Sequence, residues 1–96
     1  MSMQARVLAL IRESIELYNR YRSPEATAHL IRTSGEEVVV AFEGTFCESC
    51  GIVDWIEDLA YVMAEYGIEA ELKKVIDTDE EHVKIGVFRV KLKERG

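Results

Sequence analysis

No apolar run in this chain is long enough to serve as a signal sequence or to span a membrane. The run Val7 to Ile11 ends at Arg12 and Glu13, far short of the roughly 20 residues a membrane helix needs. A cytoplasmic protein with no membrane contact is the expectation. Cysteine is scarce as well. Cys47 and Cys50 are the only two, too few for the disulfide framework of a small secreted domain. Asparagine and glutamine occur once each, at Asn19 and Gln4, while Glu, Arg and Lys are plentiful, a balance that resembles thermophile proteins. A glycine-rich phosphate loop, a serine elbow and a His-Glu metal helix are all missing. Nothing in the chain specifies an enzyme, and a non-enzymatic role is expected.

What is present suits one globular unit. The 96 residues accommodate a single domain, 1–96, with no room for a second core. Apolar residues make up 48% and charged residues 31%, which is a folded rather than a fibrous or disordered composition. The net charge of −6 disfavours general affinity for nucleic acid. That charge is uneven: five arginines lie within 1–32, fourteen acids within 36–82, and the last segment turns basic again.

Periodicity predicts two helices and two hairpins. Met3, Val7, Leu10, Ile11, Ile15 and Tyr18 recur at helical spacing, and Ser23-Pro24 stops that helix because a residue before proline is pushed out of the α region. Thr27–Thr33 and the apolar run Val38–Phe42 flank the turn Ser34-Gly35-Glu36 and read as a hairpin. An uninterrupted apolar run predicts a strand that is central or covered on both sides. Ile52, Ile56, Leu59, Ala60 and Met63 define a second helix, closed by Gly67 with Ile68 packing back. Ile68–Lys73 alternates, Asp77–Glu81 is a polar turn, and the last strand follows. Its apolar phase moves from Val83, Ile85 and Val87 to Phe88, Val90 and Leu92. That shift predicts either a bulge near Gly86 or a strand buried on both faces.

The fold class expected is therefore α+β, a two-layer sandwich in the order α-β-β-α-β-β. Two helices cover one face of a four-stranded antiparallel sheet. Strands apolar on both sides leave the other face to a second chain, so a homodimer is expected.

Cys47 and Cys50 are the most distinctive chemical feature. They sit between a buried strand and a helix start, where free N–H groups and the helix dipole favour a thiolate, while Glu43, Glu48 and Asp54 nearby oppose it. The segment Val38 to Ile52, VVVAFEGTFCESCGI, resembles the strand-CxxC-helix segment of the thioredoxin-like oxidoreductases. The resemblance implies thiol–disulfide exchange at Cys47 and Cys50. Several features depart from it: Pro24 precedes the cysteines whereas that family sets a cis-proline opposite them, Phe46 stands where tryptophan is common, and Glu48-Ser49 replaces Gly-Pro. No helix separates the last two strands either. A different fold is expected, and no catalytic role is carried over.

Four readings of the pair stay open: ordinary packed thiols, a disulfide, a metal site, and redox exchange. Closing so short a loop contributes only about 2 kcal/mol against about 3 for a fifteen-residue loop. Zinc is the cofactor the pair could take, with two further ligands drawn from a symmetry mate or from His29 and His82. Arg89, Lys91 and Lys93 project to one side of the last strand as candidates for anion or RNA contact, although lysines there also suit an edge strand that must resist aggregation. The expected function is a small binding or assembly module. A thiol redox or zinc protein using Cys47 and Cys50, and an RNA- or anion-binding module using the basic strand, are the alternatives.

Overall fold

The structure is a computed structural model and describes residues 4–44 and 52–93. The first helix, α1 (Ala5–Arg22), buries Val7, Ile11, Ser14, Ile15 and Tyr18, a stripe at helical spacing. Buried Ser14 satisfies its hydroxyl by donating to the Leu10 carbonyl at 2.8 Å. Ser23 ends the helix in extended geometry, as expected before Pro24. The strands β1 (Thr27–Ser34) and β2 (Glu37–Glu43) form the first hairpin. The second helix, α2 (Ile52–Glu65), buries Ile56, Leu59 and Met63. Gly67 follows at φ 81°, and Ile68 is fully buried behind it, which is the helix stop that the sequence signals. The strands β3 (Ile68–Asp77) and β4 (Val83–Leu92) complete the order.

The sheet is antiparallel throughout, in the order β1-β2-β4-β3. Both helices pack on one of its faces. Ile11, Tyr18, Ile56 and Leu59 meet Val38, Val40, Phe42 and Phe88 in one core cluster. Phe42 is central to it, edge-on to Tyr18 at 5.7 Å and tilted against Phe88 at 6.3 Å, separations typical of favourable ring pairs. The expected two-layer α+β architecture is the observed one, and β2 is an interior strand as its apolar run predicts.

Two expectations need correction or choice. The last strand is not an edge: β4 lies between β2 and β3, and the edges are β1 and β3. Lysines on β4 therefore do not guard an open edge. The phase change in β4 also has its explanation. Register against β2 is unbroken from Glu37↔Arg89 to Glu43↔Val83, so β4 has no bulge at Gly86 on that side. Val83, Ile85 and Val87 lie on the uncovered face, while Phe88 and Val90 lie in the core. Gly86 faces the core where a side chain cannot fit: a Cβ there would meet Ile56 Cγ2 at 2.9 Å and the Phe42 and Phe88 rings at 3.1 Å. The bulges fall on the two edge strands, between Leu30 and Arg32 and between Leu72 and Lys74. No helix among the described residues is long and apolar enough to cross a membrane.

Candidate functional site

Because side chains alternate along each strand, everything opposite the helices belongs to a second face. Cross-strand register turns that face into a grid. One row runs His29–Ala41–Ile85–Ile76 across all four strands, and the next runs Arg32–Val39–Val87–Lys74. Beyond them comes Ser34–Glu37–Arg89–Glu71, then Lys91–Glu69. The face therefore divides in two. The rows through Ile85 and Val87 are apolar on the two central strands, with Ile31 at one edge 50% exposed and Ile76 at the other 41% exposed, and the row Thr27–Glu43–Val83 closes that end. The rows nearer Lys91 form a charged lattice. Among the described residues no helix or loop packs on this face, and Val39 and Val87 stand outside the core cluster.

The charged half is internally matched. Arg32 pairs with Glu37 at 3.5 Å, Lys73 with Glu71 at 3.1 Å, Arg89 with Glu36 at 3.4 Å and Lys91 with Glu69 at 3.9 Å. With Lys74 and Glu43, and Lys93 just beyond the strand, basic and acidic side chains on this face nearly balance. Arg89 and Lys91, two of the candidates for anion or RNA contact, thus lie beside carboxylates rather than in a positive patch. Lys93, beyond the strand, donates its backbone N–H to the Gly67 carbonyl at 2.9 Å.

Cys47 and Cys50 lie outside the described residues. The ends of the segment that holds them are described. At Gly44 the β2 strand leaves the sheet, its N–H donating to the His82 carbonyl at 3.0 Å. Gly44 sits at φ 142°, and a Cβ there would collide with the Glu25 carbonyl and come within 2.9 Å of the Pro24 oxygen. Only glycine allows this approach. The Ser23–Pro24 peptide bond beside it is cis. A cleft of about 370 Å³ opens here between Pro24, Glu43, Gly44, Glu80, Glu81, His82 and Val83. His82 thus lines a cleft together with Gly44, the last residue described before the cysteines, whereas His29 lies on β1, with β2 between it and β4. The structure does not bring the two histidines together. No cluster of three or more His, Cys, Asp or Glu is placed to hold a metal among the described residues.

At the junction of the helices, Tyr18 donates its hydroxyl to the Trp55 carbonyl at 2.8 Å. Burial pushes its pKa well above the ordinary value of 10.0, the Asp58 carboxylate adds to the rise, and Arg22 opposes it. Arg22 itself pairs with Asp58 and lies over the Trp55 ring, 5.6 Å from its centre. Asn19, notable in the sequence only for its rarity, holds β1 to α1. Its amide donates to the Ala28 carbonyl at 3.0 Å and accepts the Ala28 N–H at 2.6 Å.

What sequence reasoning missed is the extent of the uncovered band, above all Ile31 and Ile76 at its edges. Alternation alone would have shown Ile76, but the bulge before Lys74 resets the phase of β3 and hides it. Comparison with protein-family models, with curated proteins and with solved structures returned no match.

Proposed function

We propose that the protein is a binding and assembly module that works through the uncovered face of its sheet. The observation that carries this reading is the row His29–Ala41–Ile85–Ile76 with its neighbour Val39–Val87, an apolar band that no helix covers. An antiparallel sheet with one solvated face ordinarily places polar residues there. Apolar side chains at those positions add nothing to a helix-packed core and suit a contact surface.

Stability measurements on dilute protein separate a contact face from structural packing. Ile85→Lys should change the unfolding free energy by less than about 1 kcal/mol, as surface substitutions do. Leu59→Lys, in the core, should prevent folding. A loss of several kcal/mol for Ile85→Lys in the monomer would assign the band to internal packing and end the proposal.

A second reading rests on the cleft beside Gly44. Glu43, Glu80 and Glu81 line it together with His82, and carboxylates attract a cation while disfavouring an anionic nucleophile. Gly44 precedes Cys47 by three residues in the chain, and the acidic cleft it lines supports zinc on Cys47 and Cys50, with His82 as a further ligand, over thiol–disulfide exchange. Native mass spectrometry after zinc loading tests it. Retention of one zinc per chain, lost in His82→Ala and kept in His29→Ala, is the expected pattern. Equal retention in Cys47→Ser/Cys50→Ser would remove the reading.

A further inference from the structure

We infer that the partner on the uncovered face is a second copy of this chain, packed sheet against sheet about a two-fold axis parallel to the strands, between β2 and β4. The inference rests on the contact-face reading above and adds the occupant and its orientation.

Charge selects the occupant. The face is close to neutral, so nearly all of the −6 excess lies elsewhere on the chain. Two copies of an acidic protein repel overall, and this face adds little to that repulsion. The edges offer no rival route, because each edge strand carries a bulge that interrupts the flat template for edge pairing. Size is adequate. Four strands about 4.8 Å apart and about nine residues long outline a face of roughly 19 by 30 Å. Its contoured accessible surface approaches the roughly 800 Å² per partner of a standard stable interface.

Charge also selects the axis. A two-fold along the strands reverses the column order, so β2 of one copy lies over β4 of the other. Val39 then meets Val87, Ala41 meets Ile85, and Glu37 meets Arg89, each pair occurring twice. A two-fold across the strands keeps the columns and reverses the rows, which sets Glu37 against Glu43 and the charged lattice against the apolar band. That arrangement buries charge on hydrocarbon and brings like charges together. In the favoured arrangement Arg32 also meets Lys74 on the outer strands, a like-charge contact at the solvated margin of the middle row that the Arg32–Glu37 pair at 3.5 Å partly offsets.

The test is charge reversal in trans, read by sedimentation velocity between about 1 and 300 µM, because an isologous association depends on protomer concentration. Wild type should sediment as a dimer, and Ile85→Lys as a folded monomer. Tyr61→Lys, on the helix layer and 67% exposed in the wild type, should leave the dimer intact. Glu37→Arg alone and Arg89→Glu alone should each weaken self-association at least about tenfold. Mixing these two variants should restore a dimer, because both apposed pairs of residues 37 and 89 between them are again opposite in sign. Repair within one sheet cannot produce that result. A dimer that survives Ile85→Lys would overturn both this inference and the contact-face reading. A wild type that stays monomeric throughout would overturn the second copy alone, and a wild-type dimer without restoration in the mixture would overturn the axis.

Discussion

Val39 and Val87 oppose each other across the β2–β4 pairing, each only 6% exposed, yet neither belongs to the core that the helices cover. Their shielding comes from the same face. Arg32 and Lys74 flank them in their row, Glu37 and Arg89 stand in the next, and the methylene stems of such residues shelter apolar neighbours while their charges stay in water.

Threonine scanning of β2 should report this division directly. Val38→Thr and Val40→Thr place a hydroxyl in the helix-packed core and should cost about 1–3 kcal/mol each. Val39→Thr places it where water is one side chain away and should cost under about 1 kcal/mol in dilute protein. Urea unfolding monitored by circular dichroism checks the contrast. Equal losses at all three positions would mean that the two faces are equally buried.

Gly86 should resist replacement for reasons of space. Alanine there would press on the Ile56 side chain at 2.9 Å and on two rings at 3.1 Å, and overpacking of this kind costs about 1–3 kcal/mol. Gly35 is limited only by its conformation, φ 60° with nothing within 4 Å. Its alanine variant should lose about 1 kcal/mol. Thermal melts of the two variants, with Gly86→Ala at least as destabilised, are the expected result.

Removing Asn19 should unpair two groups at once. Ala28 is 2% exposed, and its N–H and C=O both bond to the Asn19 amide. Asn19→Ala should therefore cost about 2–3 kcal/mol, beyond the loss of a single exposed hydrogen bond. Asn19→Asp keeps the acceptor for the Ala28 N–H but loses the donor, and should fall between. Equilibrium unfolding of the three proteins would show whether the order holds.

Tyr18 links stability to alkaline pH. The unfolded chain releases the Tyr18 proton near 10.0, while burial holds it to higher pH in the folded chain. Deprotonation then favours the unfolded state, so this contribution is complete below pH 10 and declines as pH rises above it. Tyr18→Phe should cost about 1 kcal/mol at neutral pH through the lost bond to Trp55. It should also flatten the decline of stability above pH 10. An unchanged slope would place Tyr18 in water.

Much of this architecture was legible before any coordinates. Stripes at helical spacing marked α1 and α2, Pro24 and Gly67 marked their ends, and the polar turns marked both hairpins. The candidate site was legible only in outline. Apolar residues on both sides of the strands announced an uncovered face, but the β3 bulge concealed Ile76, and the role of Asn19 required knowing that α1 ends beside Ala28. The cysteine pair, most conspicuous in the sequence, lies outside the described residues.

By itself the sequence determined the six elements, because helix and strand periodicities are set by side chains a few residues apart. Tertiary structure alone decided the strand order β1-β2-β4-β3. That order brings Arg89 to Glu36 across 53 residues of chain and moves the basic strand from an edge to the interior. Local pattern cannot encode such neighbours, since they follow from how the two hairpins dock to bury both helix stripes at once.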